Sequence, residues 1–250
     1  MTTRSTTKNS EAVQAPGERG DTPLIVPDQQ PATLGDCRRC GLWHDATQPV
    51  PGQGPRRAPI LLVGEQPGDQ EDKAGKPFVG PAGGLLDRAL GDARVQRDDV
   101  FITNAVKHFK WFPRGKRRMH KTPAQREVMA CHYWLEKELA SVRPAVAVSL
   151  GATALRSLMQ RADVRLNAML GEPVQVGDLV VVPTYHPSFI LRAPDARTRE
   201  MAYAALVQAL ETAGRIAAGD GASGKSARAP ARTSAKASAS TATVKKTSAP

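Results

Sequence analysis

Apolar positions along the chain fall into short runs separated by helical patterns. Ile60-Leu61-Leu62-Val63 is an unbroken apolar run closed by Gly64, as expected of a strand covered on both faces. Val100 to Val106 and Ala145 to Leu150 read the same way. Val174-Gln175-Val176, a Gly177-Asp178 turn and Leu179 to Pro183 read as a hairpin leading into a fourth strand. Helical stretches lie between these runs. Val79 to Ala93 reads as a loop followed by a helix. Thr122 has the chemistry of an N-cap, with Pro123 in the first helical position and Gln125 three residues after the cap. Val128, Cys131, Leu135, Leu139 and Val142 then recur on one helical face. Gly151 to Leu155 opens another helix, and Asp195 to Ala213 is a last, Ala-rich one. Strands alternating with helices predict an α/β domain built on a mostly parallel, covered sheet.

The polar motifs sit directly after the strands. GEQPG follows ILLV, KHFKW follows FITNAV, and TYHPS follows LVVVP. Ligands of open α/β sheets bind outside the carboxyl ends of the strands. Glu65, Gln66, Asn104 and His186 are therefore expected to converge on one crevice although they are far apart in the chain.

Charge adds a class of partner. Lys and Arg number 35 against 24 Asp and Glu, a formal net charge of +11. From Gly219 onward six basic residues face only Asp220, in an Ala/Ser/Thr/Gly/Pro context whose one sizeable aliphatic residue is Val244. Such a segment cannot offset its ordering entropy, and 219–250 is expected to be a disordered basic tail. Residues 1–30 are a flexible N-terminal segment of net charge −1, which leaves +7 on a domain at 31–218. A basic domain with a basic tail suits a polyanion, most simply nucleic acid, although the tail alone also reads as a solubility appendage. No run approaches eighteen apolar residues and the first residues hold no apolar secretory core, so neither a membrane partner nor export is expected. A cytoplasmic location follows as the expectation.

Several constellations carry candidate chemistry. Gly64-Glu65-Gln66-Pro67-Gly68 is a tight turn in which Glu65 or Gln66 can orient a water or face a developing cation; the bland reading is an ordinary strand-to-helix turn. Phe78 lies on a glycine-rich loop, where an aromatic ring either stacks on a nucleobase or plugs the core. Cys37 and Cys40 form a C-x₂-C, with Cys131 on a helix and His108 or His132 as the nearest fourth ligand. Three thiolates and an imidazole suit zinc and also suit an iron–sulfur cluster. Arg114 to Lys121 sets His120 among Lys116, Arg117, Arg118 and further cations, in a loop before a helix. Adjacent cations push a histidine toward its neutral form, which has a lone pair to act as base or nucleophile. The same cations can hold a phosphodiester backbone.

Together these residues resemble the uracil-DNA glycosylase superfamily, over about residues 34–214. GEQPGDQEDKAGKPFVGPAGGLLD is similar to the first motif of the family 4 iron–sulfur glycosylases, and HPSFILR to their second. Gln66 in third place of the first motif, and Lys116-Arg117-Arg118-Met119-His120, most resemble the UdgX group. The resemblance implies a three-layer α/β/α fold around a four-stranded, mostly parallel sheet, and a 4Fe–4S cluster. Where family 4 proteins have VKC this chain has Val106-Lys107-His108, so His108 takes that ligand's place beside Cys37, Cys40 and Cys131. The substrate implied is uracil in DNA, single strands favoured, and the protein a monomer. Phe78 would stack on the extruded base, Asn104 read its O4 and N3–H, and Glu71 exclude a C5 methyl. Gly64 and Gly68 would shape the pocket. His186 would stabilise the departing uracil anion, and Gln66 orient the base or a water. Lys116, Arg117, Arg118 and Arg192 would hold phosphates. In the UdgX group the loop histidine, here His120, attacks C1′ and stays bonded to the sugar, with Glu65 taking its proton. Two other readings stand beside this one: a multiple-turnover glycosylase releasing an abasic site, and a metal-stabilised single-strand-binding module without activity.

Overall fold

The computed structural model describes residues 30–219. The readings of 1–30 and 219–250 as flexible segments lie outside the described residues, apart from Gln30 and Gly219. Seven strands and six α-helices are present among the described residues: β1 (Ile60–Gly64), α1 (Asp69–Ala74), α2 (Pro81–Asp92), β2 (Val100–Asn104), β3 (Trp111–Arg114), β4 (Arg117–His120), α3 (Gln125–Val142), β5 (Val146–Leu150), α4 (Ala152–Met159), β6 (Val174–Val176), β7 (Leu179–Thr184), α5 (Pro187–Leu191) and α6 (Ala196–Ala217).

The central sheet runs β2-β1-β5-β7-β6. Its first four strands pair in parallel. The apolar runs of β1 and β5 are buried at every position, as strands covered on both faces require. Alternate residues serve opposite layers. Ile60, Leu62, Val146, Val148 and Val182 pack with Leu86, Leu90, Leu206 and Leu210 of α2 and α6. Leu61, Val63, Ala147 and Val181 pack with Leu135, Ala154, Leu155 and Leu158 of α3 and α4. The result is the expected three-layer α/β/α arrangement.

The sheet has five strands rather than four. Beyond the turn at Gly177 (φ 59°), short β6 folds back along β7 as an antiparallel edge. Two other expectations are also corrected. The basic segment is no open loop: Trp111 to His120 forms the antiparallel hairpin β3–β4, turning at Gly115 (φ 59°). And α3 starts after Ala124, not after Thr122. Its N-terminus is held by Glu127, whose Oε2 accepts the Ala124 N–H at 2.6 Å. The acid that caps the helix thus lies two residues beyond the Gln125 expected from sequence.

A buried polar node fixes the end of β2. Lys107 is fully buried, and its Nζ donates to Thr103 Oγ1 (2.6 Å), the Asn104 carbonyl (2.8 Å) and Glu138 Oε2 (2.6 Å). Removing one partner of such a pair leaves a buried charge uncompensated. Lys107→Met is therefore expected to lower unfolding stability by about 3–5 kcal/mol in urea titration. The double change Lys107→Met with Glu138→Leu should recover much of that loss; a single variant as stable as the parent would show that the pair is not needed.

Candidate functional site

Parallel register brings the motif-bearing strand ends together. Gly64 pairs with Asn104, and Leu150 with Thr184, two residues before His186. Above these ends lies a cavity of about 1290 Å³ lined by Glu65, Gln66, Gly68, Glu71, Phe78, Asn104, His120, His186 and Arg192 among others. That exceeds the roughly 300–1,000 Å³ of pockets that enclose a drug-sized ligand, so it holds more than a single base. Cys37, Cys40, His108 and Cys131 do not line it. Neither do Lys116, Arg117 and Arg118.

The floor is built to receive a flat polar ring. Asn104 is buried, and its Oδ1 has no hydrogen-bond partner within the protein. An orphaned buried acceptor aimed at a cavity is a vacancy for a donor. Beside it Phe78 is held at φ 55°, a left-handed conformation costly for an aromatic residue. The loop is kept there by close packing: a Cβ on Gly83 would collide with the Phe78 carbonyl. Gly64 leaves the floor open, since a Cβ there would overlap Asn104 Oδ1 and the Phe78 ring. Gly64→Ala is therefore expected to abolish binding of a base while the fold survives. Circular dichroism and a uracil-release assay check this; an active Gly64→Ala protein would move the base site elsewhere.

Glu71 lines the cavity and braces it. Its two oxygens accept the N–H groups of Gly68 (3.0 Å) and Gly80 (2.8 Å), tying the first motif to the loop that carries Phe78.

His186 opens α5 as its N-cap. Its Nδ1 accepts the Ser188 N–H at 3.1 Å, so the proton of the neutral ring sits on Nε2. Burial, then His120 and Arg192, push its pKa down to about 4. A neutral imidazole with an Nε2–H lies 5.9 Å, centroid to centroid, from the Phe78 ring. It is a donor that remains neutral throughout the physiological range.

The hairpin brings His120 to the same cavity. Its Nε2 lies 3.3 Å from Glu65 Oε1, and its side chain is 45% exposed. Burial, and then Arg192, outweigh the Glu65 carboxylate and lower the pKa below the usual histidine range. The hairpin is anchored at several points. Lys110 Nζ pairs with Glu127 at 2.8 Å, and Trp111 donates its indole N–H to the Asp45 carbonyl. Gln66 bridges its two ends: Nε2 donates to the carbonyls of Lys110 and Lys121, and Oε1 accepts the Lys110 N–H. Both amide hydrogens of Gln66, expected to orient a base or a water, are engaged in holding the hairpin, while the residue also lines the cavity.

Arg118, expected to hold phosphates, is engaged in the same way. Its guanidinium pairs with Asp69 and Asp72, both at 2.6 Å, and lies 5.4 Å from the Phe109 ring centroid. It locks the hairpin to α1. Lys116 and Arg117 stand exposed at the hairpin tip, and Arg192 is exposed on the cavity rim, donating to Ser188 Oγ. These three keep the access to a backbone that their proposed role needs. Sequence reasoning passed over Thr153, Asp69 and Asp72. A threonine just after a strand and an acidic GDQED facing a basic run were the signals available.

The thiols form a separate site beside the segment that follows β2. Cys37, Cys40 and Cys131 are buried and unpaired, and Cys40 and Cys131 pack with Leu42, Val106 and Val128. Burial pushes Cys40 up to about 11 and Cys131 up to about 12, with Cys37 adding to the rise at both and Cys40 to that at Cys131. The Lys107 N–H donates to Cys131 Sγ at 3.2 Å, and the next residue is the buried His108, held neutral by burial with a pKa of about 4. His132 is engaged elsewhere, with Glu136 at 3.2 Å. Among the described residues no three ligating side chains converge on a single point, as one ion requires. Three buried thiols and a buried imidazole are soft donors of the kind iron–sulfur clusters use, and Cys37, Cys40, His108 and Cys131 are the residues whose chemistry would fit such a group.

Residues 51–211 match the uracil DNA glycosylase superfamily. The chain is similar to the Type-4 uracil-DNA glycosylase of Thermotoga maritima, 38% identical over 157 residues that cover 62% of this chain and 78% of the relative. It is also 38% identical over 172 residues to the Type-4 uracil-DNA glycosylase of Pyrobaculum aerophilum, covering 66% of this chain and 84% of the relative. The Type-5 uracil-DNA glycosylase of the same organism is 31% identical over 173 residues, covering 63% and 73%.

Proposed function

The chain belongs to the uracil DNA glycosylase superfamily, and from that membership we propose that it excises uracil from DNA. The observation that carries this reading is the unpartnered Asn104 Oδ1 in the cavity that Phe78 and His186 also line. The N3–H of uracil supplies the missing donor, and the Asn104 amide N–H reaches O4; cytosine presents the reverse pattern. Phe78 stacks on the ring, and His186 donates to O2 as negative charge develops there. Stacked uracil must first leave the helix, which costs least in single strands. Uracil release from a single-stranded oligonucleotide, compared with matched thymine and cytosine oligonucleotides, tests the reading. Release from the uracil strand alone supports it; release from none contradicts it.

A second, finer reading is favoured by the position of His120. The C1′–N1 bond breaks, its electron pair leaves with uracil, and a ring nitrogen of His120 bonds to C1′. The displaced imidazole proton passes to Glu65, 3.3 Å away, and ends on uracil. The product is a protein joined to DNA, as in the UdgX group. Lys116, Arg117 and Arg192 hold the flanking phosphates. The similarity to Type-4 uracil-DNA glycosylases supports the family 4-type course instead, in which water is admitted at C1′ and the enzyme turns over.

The thiol site belongs to the same proposal, with Cys37, Cys40, His108 and Cys131 holding a 4Fe–4S cluster. When bound, the cluster would supply structural cross-linking between the N-terminal segment, the β2–β3 connection and α3. The protein should carry iron and acid-labile sulfide in equal amounts. Cys131→Ala should lose both and melt at a lower temperature while uracil discrimination is kept. Zinc in place of iron would overturn the cluster.

A further inference from the structure

Thr153 stands in the first turn of α4, directly after β5, and no step above uses it. Its Oγ1 donates to Glu65 Oε2 at 2.6 Å, across 88 positions of sequence. The other oxygen of the same carboxylate, Oε1, faces His120 Nε2 at 3.3 Å. Glu65, His120 and Thr153 come from three separate elements: the turn after β1, the end of β4 and the start of α4. The carboxylate is about one-fifth exposed, so without a partner it would rotate toward water.

We propose that Thr153 is a positioning residue for the chemistry at C1′: its hydroxyl holds one oxygen of Glu65 so that the other faces His120. The inference rests on the His120 reading. It follows the logic of a nucleophile, a base and a third group that orients the base. A hydroxyl is suited to the task because it donates to an ionised carboxylate while adding no charge of its own. Gly151, just before the helix at φ 93°, lets the chain turn into α4, from which Thr153 reaches Glu65; a Cβ at Gly151 would press on the His186 side chain at 3.2 Å.

The test is single-turnover kinetics with excess protein over a single-stranded uracil oligonucleotide, comparing the parent with Thr153→Val and Thr153→Ser. Valine keeps the shape and removes the hydroxyl; serine keeps the hydroxyl. Thr153→Val is expected to slow adduct formation at saturating protein by about ten- to a hundredfold, the value of one hydrogen bond to a charged group. The concentration for half-saturation and the melting temperature should stay unchanged, and Thr153→Ser should restore the rate. A merely structural residue would instead lower the melting temperature, and serine would not rescue it. Parental kinetics in Thr153→Val, or a serine variant as slow as valine, overturns the proposal. If the parent itself yields only free abasic DNA, the His120 reading fails. Thr153 is then judged on the rate of uracil release, where the same slowing and rescue support it and a parental rate in valine overturns it.

Discussion

Serine in place of His120 is expected to leave uracil excision intact and to free the DNA. The substitution removes the imidazole lone pair but touches none of Asn104, Phe78 and His186, which form the base site on separate elements. The hairpin should keep its place, because Gln66, Lys110, Arg118 and Trp111 anchor it independently of His120. Water then reaches C1′ where the ring stood, and the product becomes an abasic strand that leaves the protein. The gel readout is a change from a heat-stable shifted band to alkali-cleavable free DNA. A serine variant that still forms the adduct removes His120 from the attack. One that binds uracil-DNA but excises nothing places the histidine at bond cleavage. The parent's pH profile carries the same logic. In the proposed step the neutral imidazole is the attacking form, and burial with Arg192 holds its pKa below the usual value. Adduct formation should stay level as pH falls from 8 through about 6.5, where an ordinary histidine would be half protonated, and decline only below that.

His186→Ala should fail earlier and more completely. It removes the Nε2–H that meets the leaving base, before capture by histidine or by water diverges. Loss of one preorganised donor of this kind costs about 3 kcal/mol, or roughly a hundredfold or more in rate. Both adduct formation and uracil release should fall together, in the parent background and in His120→Ser alike. The effect should not depend on pH between about 5 and 8, because the ring, with a pKa near 4, is already neutral there. An alanine variant that releases uracil at near the parental rate would take the leaving group away from His186.

The sheet was legible because its strands are buried on both faces and their apolar runs are unbroken. The site was legible for a related reason: in a parallel sheet the residues just after each strand share one edge, so Glu65, Asn104 and His186 could be brought together without knowing the strand order. Pairings between distant polar groups were hidden. Arg118 reads as one more cation in a basic run until α1 sets Asp69 and Asp72 against it. Gln66 reads as a free amide until the hairpin ends close on both its faces. The hairpin itself shows no alternation, since Phe112, Pro113 and Arg114 are all exposed. It forms through the Gly115 turn and its anchors rather than through an apolar face. Thr122 has the chemistry of a cap, yet in the structure it lines the cavity. Thr153 offered only its place just after a strand, because its partner Glu65 lies 88 positions away.

The most direct test is the intact mass of the product formed by the full chain and a short single-stranded oligonucleotide with one uracil, after heating in denaturant. The account predicts one new species weighing the protein plus the oligonucleotide less one uracil, with fragmentation placing the DNA on the peptide that contains His120. Protein and abasic oligonucleotide recovered at their separate masses would contradict the attachment to His120, and an oligonucleotide that kept its uracil would contradict excision as well.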